Sequence, residues 1–179
     1  MPPKKHSRTA GALLIACLPF FAGCQSVEPL PTVDYVDLER FSGDWYVIAS
    51  IPTFIEKGAH KAIERYELTD QGTIATTFSY LDGSFDGPRK QYTATGYVRD
   101  ETSNAVWGMQ FIWPFKADYR IAYLDQDYTL TVIGRNKRDY VWIMAREPSI
   151  AEAEYERLVA LIETQGYDAS AIIKVPQKP

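Results

Sequence analysis

The sequence predicts an all-β protein: an eight-stranded antiparallel up-and-down β-barrel with one C-terminal α-helix packed outside it. Three observations carry that expectation. Eight short runs rich in β-branched and aromatic residues follow one another, separated by turn residues. A single later stretch repeats its apolar residues at helical spacing. Aromatic residues make up 13% of the 179 residues, with 12 Tyr and 4 Trp, which suits sheets and apolar interiors.

The expected strands are 43–52, 61–68, 73–80, 90–98, 105–113, 117–124, 128–134 and 140–146. Between them stand hairpin signals such as Thr69-Asp70-Gln71-Gly72, Asp82-Gly83 and Asp86-Gly87-Pro88. Eight strands in sequential hairpins can close on themselves, which removes exposed edges. After them, Ser149 and Glu152 read as a capping box behind Pro148, opening a helix. Tyr155, Leu158, Val159, Leu161 and Ile162 share one helical face, and Gly166 stops the run. Strand 128–134 offers that face a partner. Leu130 and Val132 are apolar on one side and Thr131 and Ile133 occupy the other, as expected of a strand covered on both faces. The tail 167–175 reads as a short ninth strand.

The first 34 residues read as processing and tether. Lys4, Lys5 and Arg8 form a basic start, and an apolar stretch from Ala10 to Phe21 follows, too short to span a bilayer. Phe21-Ala22-Gly23-Cys24 resembles the bacterial lipobox, in which the cysteine is acylated and becomes the first residue. Ordinary secretion with Cys24 a chance thiol is the alternative. The expected organisation is a leader over 1–23, an acylated Cys24 with a flexible tether over 24–34, and the barrel over 35–179. The only other cysteine, Cys17, lies in the leader. The processed chain therefore offers no disulfide, thiolate metal site or thiol nucleophile. A net charge of −4 argues against nucleic acid as a partner.

Three motifs in order then resemble the lipocalin family. Gly43-Asp44-Trp45-Tyr46 opens the first strand, Asp118-Tyr119 enters the sixth, and Tyr140-Val141-Trp142-Ile143-Met144-Ala145-Arg146 ends the eighth. Trp113-Pro114-Phe115 and Gly166-Tyr167-Asp168 further resemble bacterial outer-membrane members. The resemblance implies a structural plug of Gly43, Trp45 and Arg146, with the tryptophan filling the closed end and the guanidinium stacked over it. It implies a cavity for fatty acids or lysophospholipids, lipid storage or transport, and attachment to the outer membrane through Cys24. A homodimer is left open.

A barrel of this size holds one small ligand. Alternation nominates its lining: Glu64 and Tyr66 on strand two, Tyr92, Ala94 and Gly96 on strand four, Trp107, Met109, Phe111 and Trp113 on strand five, and Tyr119, Ile121 and Tyr123 on strand six. Small residues on strand four leave volume, as a pocket needs. Pattern alone leaves a solid and a hollow barrel level; the resemblance implies the hollow one. Glu64 faces inward in this register. An inward carboxylate is costly, so it sits near the mouth, pairs with a cation, or the register is off by one. Strand three is left unassigned between the Ile74/Thr76/Phe78/Tyr80 face and the Thr73/Ala75/Thr77 face.

The expected function is reversible lipid binding without covalent chemistry, metal or cofactor. Two other classes stay open. A lipocalin-fold enzyme acting on a lipid or isoprenoid would have Glu64 as its acid, and a pigment or haem carrier would have His60, placed in the loop after 54–58, as its only ligand.

Overall fold

The computed structural model describes Met1 and residues 28–178, so the expected leader and Cys24 lie outside the described residues. Eight strands form the wall: β1 (Gly43–Ile51), β2 (Ala59–Leu68), β3 (Ile74–Asp82), β4 (Arg89–Val98), β5 (Val106–Ile112), β6 (Phe115–Leu124), β7 (Leu130–Gly134) and β8 (Val141–Ala145). Each pairs antiparallel with the next, and β1 pairs with both β8 and β2, closing the barrel. All eight expected strands are present, with ends shifted by up to two residues. β2 begins at Ala59, so His60 is a strand residue rather than a loop residue, its ring edge-on to Phe85.

Closure is incomplete along one seam. β1 pairs with β2 only from Gly43 to Tyr46; beyond that β1 follows β8 and leaves β2. The C-terminal tail fills the gap. β9 (Ile173–Lys174) pairs with Ala49 and Ser50. The Lys61 N–H then donates to the Pro176 carbonyl at 2.8 Å. The Gln177 amide donates to the carbonyls of Val47 (2.8 Å) and Ala62 (3.1 Å), one on each side of the seam.

Two apolar layers result from strands covered on both faces. Trp45, Tyr66, Trp107, Ile121, Ile133 and Met144 point into the barrel. Val132, Val141, Ile143 and Ala145 point out, where α2 (Glu152–Thr164) buries Leu158 and Ile162 against them. The expected capping box does not form. The N-cap is Ala151, with no side-chain cap, so Ser149 lies two residues too early. Glu152 sits at the first helical position and its carboxylate accepts from Lys174 Nζ instead. Gly166, at φ +92°, ends the helix as read from the sequence.

The last part of the expected tether is docked on the barrel. Leu30 is buried in the outer layer and its N–H donates to Asn136 Oδ1 at 2.8 Å. Val33 and Val36 donate to the carbonyls of Ile121 and Ser103. Leu30 and Val36 are apolar, and burying them holds the strap down.

Candidate functional site

One end of the barrel is sealed. The short helix α1 (Leu38–Phe41) turns the chain across it, capped by the Asp37 carboxylate, which accepts from the Glu39 and Arg40 N–H groups. Trp45 is fully buried and its indole N–H donates to the Phe41 carbonyl at 2.8 Å. The Arg146 guanidinium lies 3.9 Å from the Trp45 ring. It donates to the carbonyls of Arg40, Phe41, Ser42, Asp44 and Tyr128, so five backbone acceptors converge on one side chain. Gly43, at φ +102°, passes so close that a Cβ there would stand 3.2 Å from Arg146 Nη1.

Above this plug lies a packed aromatic floor. Phe41 contacts Trp45, Tyr66 and Trp107 with ring centroids 5.0 to 5.6 Å apart, and Trp107 stacks on Tyr119 at 5.2 Å. Tyr66, Trp107 and Ile121 therefore face inward as alternation predicts, but they fill the base and do not line the cavity. Ala94 and Gly96 are corrected too. Neither borders the cavity: Ala94 is buried in the inner layer, and a Cβ on Gly96 would meet Met109 Sδ at 3.1 Å and Ile74 Cβ at 3.2 Å.

The upper half is hollow. A cavity of about 480 Å³ opens opposite Trp45, within the ~300–1,000 Å³ usual for small-molecule sites. Of the expected lining, Glu64, Tyr92, Met109, Phe111 and Tyr119 border it. Phe78 joins them from β3, which settles that strand: Ile74, Thr76, Phe78 and Tyr80 point inward. Trp142 was missed, although it alternates with the outward Val141 and Ile143 and could have been read from β8.

The 53–56 loop was missed as well, because it reaches the mouth through tertiary contacts. Glu56 accepts from the Trp142 indole N–H at 3.0 Å and from the Thr53 N–H at 2.7 Å, and Tyr80 donates to the Ile55 carbonyl at 2.6 Å.

Two nominated residues lie elsewhere. Trp113 is 82% exposed at the β5–β6 hairpin tip and does not border the cavity. Tyr123 points outward and accepts from Arg157 of α2 at 2.9 Å. A bulge between Ile121 and Tyr123 causes this, since one extra residue reverses the inward–outward alternation beyond it. Leu124 packs on the inner layer in its place.

The cavity carries carboxyls on apolar ground. Glu64 is enclosed by protein, and the accessible surface it keeps faces the cavity it lines. Burial, then the negative charge of Glu56, push its pKa up to about 8, against a smaller opposing effect of the Tyr66 hydroxyl. Glu64 is therefore mostly protonated at neutral pH. Burial also raises Glu56, opposed by the Thr53 and Trp142 donors. Tyr66 and Tyr119, whose hydroxyls hydrogen-bond each other beneath Glu64, are held well above the usual phenol range, first by burial and then by Glu64. Glu64 is thus inward, and the structure supplies no cation for it: among the described residues neither Glu56 nor Glu64 stands in an ion pair. Among the described residues no group of three or more His, Cys, Asp or Glu side chains is placed to hold a metal ion.

A hollow antiparallel barrel sealed at one end by a Trp–Arg plug, with a helix outside, is the architecture of a lipocalin. The chain belongs to that family: the lipocalin-like domain matches residues 36–177. It is similar to the outer membrane lipoprotein Blc of Citrobacter freundii, 27% identical over 172 residues that cover 94% of this chain and 93% of that protein. It is also similar to temperature-induced lipocalin-1 of Arabidopsis thaliana, 32% identical over 159 residues, 84% of either chain. Insecticyanin from the tobacco hornworm Manduca sexta shares the fold, with a TM-score of 0.63 at 17% identity and 85% of both chains covered.

Proposed function

We propose that this protein is a lipid-anchored carrier that binds one hydrophobic or amphiphilic small molecule reversibly and performs no covalent chemistry. The observation that carries the reading is the cavity: about 480 Å³, apolar over most of its wall, open at one end and sealed at the other. Fatty acids and lysophospholipids are the ligand classes to which the family resemblance points, because a single chain suits a narrow barrel with aromatic walls. The anchor is Cys24, supported by the Phe21-Ala22-Gly23-Cys24 pattern and by relatives named as outer membrane lipoproteins. Several acyl chains on one cysteine give durable membrane attachment where a single chain gives a weak one. The location is accordingly the outer membrane.

The test uses the Cys24→Ser protein, free of acyl groups, and a fluorescent apolar probe. Single-chain lipids displace the probe at micromolar concentration. Failure of every single-chain lipid to displace it refutes the reading. Mass spectrometry of small molecules extracted with the native protein identifies the bound species directly.

A further inference from the structure

The cavity base carries a carboxyl where a tail-first ligand needs apolar wall. The carboxyls are inside: Glu64 borders the base above Tyr66 and Tyr119, and Glu56 reaches in from the loop over the mouth. The bare apolar side chains are outside: Phe54, Phe111 and Ile112 line the cavity at its mouth and are themselves 83%, 53% and 73% exposed. A hydrocarbon tail inserted to the base would strip the remaining solvation from Glu64 and offer nothing in return.

The walls around Glu64 are aromatic: Phe78, Tyr92, Tyr119 and Trp142. Ring faces attract cations, and more so where water is excluded. Titratable groups reach this space from the mouth loop, β2, β4 and β6. Glu56 comes from the loop, Glu64 from β2 with the Tyr66 hydroxyl beneath it in the floor, Tyr92 from β4, and Tyr119 from β6. At the rim, Asp118 pairs with Arg120 at 3.2 Å and Arg135 pairs with Asp139 at 3.4 Å. Arg135, the lining cation among the described residues, is engaged by Asp139 through Nη1, while its Nε is buried without a partner. Thr53, also on the lining, keeps its hydroxyl buried without a partner.

We infer that the cavity selects a single-chain amphiphile whose polar end is an ammonium group, bound with that end inward between Glu56 and Glu64 and its chain leading out past Phe111 and Ile112. This rests on the cavity being a lipid site and narrows the ligand within it. A fatty acid carboxylate in the same orientation meets two carboxyls and is disfavoured. Binding of a permanent cation requires Glu64 to give up its proton, so affinity rises as pH climbs through the range in which Glu64 ionises.

The test compares four ligands of one chain length on the Cys24→Ser protein by calorimetry: dodecyltrimethylammonium, dodecylamine, dodecanol and dodecanoate. At pH 8.5 the two cations bind about tenfold or more tighter than dodecanol, and dodecanoate binds more weakly than dodecanol. Dodecyltrimethylammonium carries no titratable proton, so its tightening between pH 6 and 9 reports the protein alone. Glu64→Gln collapses the ratio of ammonium to alcohol affinity towards one and removes the pH dependence; Glu56→Gln reduces the ratio in part. If dodecanoate equals or exceeds the cations in the unsubstituted cavity, or Glu64→Gln leaves the ratio intact, the inference is wrong while the carrier reading stands. If dodecanol also fails to bind, both fall together. A poorly folded Glu64→Gln protein leaves the four-ligand ranking and its pH course to decide.

Discussion

Glu64→Gln makes the ligand-free protein more stable, and the gain grows with pH. An isolated glutamate titrates near 4.5, whereas Glu64 in its cavity is pushed up to about 8. Below pH 4.5 the carboxyl is protonated in folded and unfolded chains alike, so its titration costs nothing. Between 4.5 and 8 the unfolded chain releases the proton while the folded one retains it. Folding then takes up a proton, and stability falls as pH rises. Above 8 both forms are ionised and the penalty stays at its maximum. A shift of this size corresponds to roughly 5 kcal/mol as an upper bound, at ~1.36 kcal/mol per pKa unit. Solvation by the cavity and the unpartnered glutamine amide reduce the expected gain to about 2–4 kcal/mol at pH 8.5. For a chain of this size that is a melting-point increase of roughly 5–15 °C. Thermal and urea melts of both proteins at pH 5, 6.5 and 8.5 provide the assay. The expected difference is small at pH 5 and largest at 8.5. A difference that does not change with pH, or a substituted protein less stable at pH 8.5, refutes the argument that Glu64 is a buried, unpaired acid.

Arg146→Lys keeps the charge but loses the planar fork that reaches five carbonyls and the stacking on Trp45; a loss of about 2–4 kcal/mol is expected from urea melts. A near-neutral effect would show that the plug is ornamental. Deleting residues 173–179 removes the bonds that bridge the β1–β2 seam, at a cost of about 3–5 kcal/mol. It also opens a second route beside the small void of about 200 Å³ lined by Val47, Ala62 and Val175. Ligand dissociation measured by stopped flow is expected to accelerate, and an unchanged rate would mean that the seam stays shut without its strap.

Much of the barrel was legible because its signals are local. Turn residues punctuate eight short runs, and a strand apolar on both faces, such as Leu130–Gly134, announces a covering layer. Alternation correctly turned Glu64, Tyr66, Trp107 and Tyr119 inward. It failed at Tyr123, where one bulged residue reverses the faces, and bulges leave no reliable mark in the sequence. It was silent on depth. Tyr66 and Tyr92 read alike as inward tyrosines, yet the first lies in the packed floor and the second lines the void.

What the sequence determined by itself is the element order, the two-layer character of the strands and most of the inward side chains on β2, β4 and β5, because each follows from spacing between near neighbours. Only the tertiary structure decided where along the axis the barrel is filled and where it is empty. It also decided that Glu56 folds over the mouth to Trp142, 86 residues away, and that the tail closes the seam. Depth and closure depend on how tilted strands register around the whole barrel, and no window of sequence contains that sum.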